Sequence, residues 1–192
     1  LALTVRLPYM LKTQYPLNDG GLFYQFILDI QAAHYRLPFF TTYNAIDQIP
    51  FAYPPLAFYF TAALNDLLKL DLLFLLRWLP LLFNLLTFIP AYHLICRFLP
   101  EKNQRIYAWL AYCMLLPGYY WFIMGGGLTR SLGTFFGFSG MVLFYDGLRK
   151  GGLKRFIYSG ILLGFTALTH IEITFFTVLV TLLMAVFFGG IR

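Results

Sequence analysis

Charge is what this sequence has least of. Only 11% of its 192 residues are Asp, Glu, Lys or Arg, against about 25% in ordinary soluble domains. A globular fold with a solvated surface is thereby excluded. Cysteine is scarce as well: Cys96 and Cys113 both sit in apolar stretches and read as buried thiols, which removes a disulfide scaffold. The 16 glycines and 10 prolines show no period, so neither collagen nor a low-complexity disordered chain fits. What the chain does have is apolar bulk, 60% hydrophobic and 20% aromatic residues with a mean hydropathy of +0.71. That bulk is laid out in blocks of about 17–25 residues, the length that crosses hydrocarbon. The net charge of +6 would suggest nucleic acid in a soluble protein; in a membrane protein it records orientation, and no nucleic-acid partner is expected.

The expected fold class is therefore all-α, a polytopic transmembrane helical bundle in the cell membrane. Leu1 opens on a short apolar stretch containing Arg6 and Pro8, and Arg192 follows another directly. Residues 1–192 read as one membrane domain cut at both ends. In that reading 1–10 end a first span, 11–74 form an outer loop with juxtamembrane helices, and 75–192 hold about five spans.

Basic clusters set the orientation. Arg97, Lys102 and Arg105 form one, and Arg149, Lys150, Lys154 and Arg155 a second. Short loops rich in Lys and Arg stay in the cytoplasm, and two crossings must separate these two. Residues 75–96, 106–124 and 131–148 are apolar and long enough to serve as the spans around them. Residues 125–130 then fall outside. The run 53–68 is too short to cross, about 24 Å of helix against about 30 Å of core, and reads as a helix on or dipping into the outer surface. Residues 156–188 are too long for one upright span. Because Thr169-His170-Ile171-Glu172 interrupts them, two short helices turning there are expected, with a single tilted helix as the competing reading. Six acids, Asp19, Asp29, Asp47, Asp66, Asp71 and Glu172, then lie on or toward the outer side.

The long first loop is where a site is expected. Asn18-Asp19-Gly20-Gly21 precedes Leu22, Phe23, Phe26, Ile27 and Ile30 at helical spacing, with Tyr24, Gln25, Asp29 and Gln31 on the other positions. This describes an amphipathic helix ending near Arg36-Leu37-Pro38. Asp19 has two compatible readings: it or Asn18 caps that helix, and its carboxylate, just outside the bilayer, acts as general base or binds a divalent cation.

Tyr15-Pro16-Leu17-Asn18-Asp19-Gly20-Gly21-Leu22-Phe23-Tyr24, then Leu37-Pro38, then Pro50-Phe51-Ala52-Tyr53-Pro54-Pro55-Leu56, resembles the first outer loop of the polytopic C-fold glycosyltransferases. These include the protein mannosyltransferases and the aminoarabinose transferase of lipid A. Gly126-Gly127-Leu128-Thr129-Arg130-Ser131-Leu132-Gly133 and Gly164-Phe165-Thr166-Ala167-Leu168-Thr169-His170 are similar to the same family's membrane part. The resemblance implies an inverting transfer of a sugar from a polyprenyl-phosphate donor to a lipid, glycan or protein acceptor on the extracytoplasmic face. It assigns the acid of the first outer loop to Asp19, as the catalytic base, and allows a divalent cation, Mg or Mn, there. Many relatives carry a pair of acids where this chain has Asn18-Asp19, and some place an acid in the second outer loop, where residues 125–130 have none.

Arg130 has the geometry to bind the carrier phosphate, and equally that of an arginine snorkelling to headgroups. His170 and Glu172 either close a tight turn or reach one cavity together. Tyr53 is the candidate, among many interfacial aromatics, to line the substrate site by stacking on a sugar. The rival functions are a secondary transporter with a helix broken at its glycines, and a non-catalytic membrane scaffold.

Overall fold

A computed structural model describes residues 1–12, 18–44, 46–124 and 126–190. Tyr15, Pro16 and Leu17 of the first motif, Gly125 and Arg192 lie outside the described residues. Among those described the chain is all-helical, with no β-strand and a single bridge between Phe40 and Pro50.

The helices are α1 (Ala2–Lys12), α2 (Gly20–Ala32), α3 (Leu56–Leu68), α4 (Leu72–Leu86), α5 (Phe88–Phe98), α6 (Lys102–Met114), α7 (Leu116–Ile123), α8 (Gly127–Lys150), α9 (Leu153–Ala167) and α10 (Ile171–Phe188). Two stretches are long and apolar enough to cross a membrane: Leu72–Phe98, formed by α4 and α5, and Ile171–Phe188, which is α10.

Side-chain pairs give the directions. Arg97 at the end of α5 pairs with Asp146 near the end of α8, and Phe98 and Tyr145 both contact Phe188 at the end of α10. The helices α4–α5, α8 and α10 therefore run the same way, and α6–α7 and α9 return between them. At the opposite end, Phe23, Phe26, Ile27 and Ile30 of α2 pack with Phe58 of α3, Leu75, Leu76 and Leu79 of α4 and Leu128 and Leu132 of α8.

The spine is α8, 24 residues or about 36 Å long. Its glycines give it a face with no bulk. A Cβ on Gly137 would lie 2.5 Å from Thr177 Cγ2 on α10, and one on Gly140 would lie 3.0 Å from Leu163 on α9. Ser159 donates to the Gly140 carbonyl at 2.8 Å. Small residues that bring helix backbones together, with hydroxyls bonding across, are how helices pack where no hydrophobic effect drives them.

The break between α6 and α7 has a readable cause. Pro117, in the first turn of α7, has no N–H to give the Cys113 carbonyl four residues earlier. Arg6 of α1 donates to that carbonyl instead, at 3.1 Å, while bonding Asn84 Oδ1 at 2.6 Å from a fully buried position. The single apolar stretch 106–124 is thus two helices joined at extended Leu115.

Other expectations are corrected in detail. The run 156–188 does turn at Thr169-His170, as two helices. The short helix of the run 53–68 begins only at Leu56, after the prolines, and left-handed Lys69 ends it. Helix α2 stops at Ala32, and His34 and Tyr35, both at positive φ, carry the chain away before Arg36. Gly127 to Arg130 form the first turn of α8 rather than a loop.

Candidate active site

Asp19 opens α2, but its side chain does not cap it. The free first-turn N–H groups that an aspartate ordinarily serves receive no bond from it, which corrects the capping reading of Asp19. Asn18 sits at φ 63°, in the left-handed region, and its amide lies 3.7 Å from Met124 Sδ. This docks the residue pair on the turn that precedes α8. In consequence Asp19 lies against Gly126, where a Cβ would come within 3.1 Å of carboxylate Oδ2. Among the described residues the Asp19 carboxylate has no hydrogen-bond or ion-pair partner, and it is exposed.

The turn itself is held by its backbone. Gly127 N–H donates to Met124 O at 2.7 Å, and Ser131 Oγ donates to Phe122 O at 2.6 Å. Any Cβ on Gly127 would collide with the Phe122 carbonyl, so only glycine fits there.

Arg130 follows on the first turn of α8. Its guanidinium lies over Trp121, 5.8 Å from the ring centroid, and meets Glu172 of α10 at 3.3 Å. The arginine side chain is 23% exposed and the glutamate 71%, so the pair is open to water and weak. Trp121, Phe122, Arg130, Glu172 and Ile173 line a cleft of about 410 Å³.

His170 is the residue between α9 and α10. Its Nδ1 accepts from Ile173 N–H at 3.4 Å and so caps α10, while its Cβ lies against Gly133 and its ring meets the Tyr53 ring edge-on, centroids 6.2 Å apart. Burial, then the nearby positive charge of Arg130, lowers its pKa to about 4, with Glu172 opposing. The imidazole is therefore neutral at ordinary pH. His170 and Glu172 serve different sides of the site: the histidine is buried inward, the glutamate lies outward at the cleft.

Tyr53 arrives on the chain before α3. Leu56 N–H donates to the Leu168 carbonyl at 2.9 Å, which ties this loop to the end of α9. The Tyr53 hydroxyl is 3.4 Å from Thr129 Oγ1. Burial holds its phenol pKa above the ordinary value, and the Asp19 and Glu172 charges push the same way.

All five residues singled out in the sequence thus meet at one end of the bundle: Asp19 from α2, Tyr53 from the loop before α3, Arg130 from α8, and His170 and Glu172 from the α9–α10 turn. Thr129 and Gly126 belong with them and were visible only as parts of a glycine-rich motif. Asp29 is the other surprise. Placed by its spacing on the polar face of α2, it is buried, receiving hydrogen bonds from Thr41 (2.6 Å), Thr42 N–H (3.0 Å) and Gln25 (3.0 Å). These bonds lower its pKa against the opposing effect of burial.

The donor set bears on the divalent cation. No group of three or more His, Cys, Asp or Glu converges among the described residues, and Glu172 is engaged by Arg130. Asp19 alone does not make a protein-built cation site.

No family model matches this chain, and no curated protein or solved structure matches it.

Proposed function

We propose that this chain is the membrane part of an inverting glycosyltransferase that takes a sugar from a polyprenyl-phosphate carrier and passes it to an acceptor at the extracytoplasmic face. The observation that carries the reading is the Asp19 carboxylate. It is unpartnered among the described residues and lies against Gly126, at the end of the bundle where Arg130, Tyr53, His170 and Glu172 also gather.

A polytopic placement in the membrane is supported by more than length. On α10, Phe175, Leu182 and Val186 are 72%, 60% and 76% exposed, and a helix apolar all round with little protein against it is suited to lipid. The basic clusters of Arg97 to Arg105 and Arg149 to Arg155 share the end opposite the site, the distribution expected if that end is cytoplasmic.

In the proposed reaction an acceptor hydroxyl approaches Asp19, which takes its proton as the oxygen bonds to the anomeric carbon. The bond from that carbon to the carrier phosphate breaks on the opposite face, with inversion, and the phosphate leaves with the bonding pair. Arg130 meets the charge that develops there, exchanging its loose contact with Glu172 for a phosphate oxygen, a geometry guanidinium suits. Tyr53 and neutral His170 wall the space where the sugar sits, one as an aromatic face and the other as a fixed, uncharged neighbour. No step is routed through a metal ion.

Asp19→Asn in the full-length protein tests this reading. General-base catalysis is worth about 10²–10⁴-fold, and transfer should fall by that much. Because Asp19 makes no described contact that stabilises the fold, expression and melting temperature should not move. Undiminished transfer would discard Asp19 as the base.

A further inference from the structure

Residues 39–44 and 46–51 form a short hairpin laid along α2. Thr41 N–H donates to Ile49 O, and Phe51 N–H donates to Phe39 O, each at 2.9 Å. Two of its threonines bind α2: Thr41 and Thr42 donate to the buried Asp29, and Thr42 also receives a hydrogen bond from Gln25. Asn44 and Asp47 satisfy each other across the tip at 2.9 Å. The apolar side chains turn outward, with Phe39 and Ile46 each 89% exposed, Tyr43 55% and Phe40 51%. Exposed with them are Thr42, Asp47 and Gln48, and the loop carries no Lys or Arg and a single acid, Asp47.

Two contacts fix where the hairpin lies. Beyond the end of α2, Tyr35 donates to Asp66 while Gln31 donates to Asn65 at 2.7 Å. One residue further along α3 begin Leu67 and Leu68, 78% and 58% exposed, beside an apolar groove that continues down α4 past Phe74, Trp78 and Leu82. At the other end of α2, the Tyr43 ring is 4.0 Å from where a Gly21 Cβ would be, two residues from Asp19. The hairpin is strung between a lipid-suited ledge and the mouth of the site.

We propose that this hairpin is an interfacial anchor, seated in the outer leaflet with Phe39, Phe40, Tyr43 and Ile46 at the boundary of headgroups and acyl chains. Aromatic and aliphatic side chains partition to that depth, and the pinning of Thr41 and Thr42 by Asp29 leaves these four mostly uncovered among the described residues. Its consequence is positional: the bilayer holds the loop that flanks Asp19 at a fixed height, where a lipid-borne substrate would arrive. The inference rests on the membrane placement proposed above and is independent of the transfer chemistry.

The test uses full-length protein in vesicles of mixed phosphatidylcholine and phosphatidylglycerol. Phe39→Cys and Ile46→Cys, each made in a Cys96→Ser background and labelled with an environment-sensitive fluorophore, report on the hairpin; Leu182→Cys on α10 reports on the membrane itself. Both hairpin labels should be quenched several-fold more by shallow doxyl lipids than by aqueous iodide. Iodide quenching at 39 and 46 with doxyl quenching at 182 overturns the anchor and leaves the membrane reading standing. Shielding from both quenchers at 39 and 46 means that protein covers the patch, and overturns it equally. Loss of doxyl quenching at all three positions removes the membrane placement as well, whatever the outcome of the transfer assay.

Discussion

At the far end of α8, Asp146 is shared between Arg97 at 2.6 Å and Lys150 at 3.3 Å, with Arg97 also donating to the His93 carbonyl. At the near end, Asp19 has no described partner, and Glu172 meets Arg130 through one 3.3 Å contact while mostly in water. Both ends carry carboxylates and guanidinium groups, yet one end satisfies them and the other leaves them available. A charge that is fully bonded contributes to holding helices together and can do little else. A charge left open to water contributes little to stability and is available to bind or react.

That contrast can be broken from either side. The largest effect expected is on chemistry, from the Asp19→Asn substitution already described, with stability unmoved. Asp146→Asn should do the reverse. Removing the charge that Arg97 and Lys150 share should destabilise the protein by about 2–3 kcal/mol, less than a fully buried pair because both partners keep some water. Thermal melts in detergent would read the loss, and sugar transfer per folded molecule should be unchanged. Equal losses of transfer in both variants would erase the distinction between the ends.

His170 sharpens it through pH. The folded protein takes up this proton only near pH 4, whereas the ordinary value is 6.5. Between those values the unfolded chain binds more protons, so stability is complete above about pH 6.5 and declines as pH falls toward 4. The decline attributable to this group is on the order of 1–2 kcal/mol once solvent screening is allowed for. His170→Asn retains a cap for α10 and should flatten that part of the stability profile; an unaltered slope would show that other groups cause it. The smallest effect concerns Gly126→Ala. Its Cβ would press on Asp19 Oδ2, and a shift of a few tenths of an ångström in a reacting group costs about tenfold in rate, with little change in melting.

Much of this arrangement was legible in the sequence, because it depends on punctuation. The tetrapeptide Thr169-His170-Ile171-Glu172 interrupts an apolar run that is too long to be one helix, and the chain turns there. The brevity of the apolar run 53–68 gave a short helix, and a short helix, Leu56–Leu68, is present. The spacing of Phe23, Phe26, Ile27 and Ile30 located the buried face of α2. What periodicity could not supply was partners distant in sequence. Asp29 looks like a solvated residue until Thr41 and Thr42 fold back over it, thirteen residues on. Arg6 looks like a stray charge until Pro117 strips a hydrogen bond from Cys113, more than a hundred residues away. Asp19 fits the pattern of a helix cap, and only its position against Gly126 shows that the side chain turns elsewhere. The Arg130–Glu172 pair likewise needs the α9–α10 turn closed before it exists.

One consequence of the glycine face of α8 concerns movement. Clamped at one extremity by the Arg97 knot and bedded against α9 and α10 wherever a side chain is missing, this helix has no slack in which to tilt or slide. The groups laid over its first turn, Asn18 and Asp19 before α2 and Tyr53 before α3, therefore rest on a surface that stays where it is.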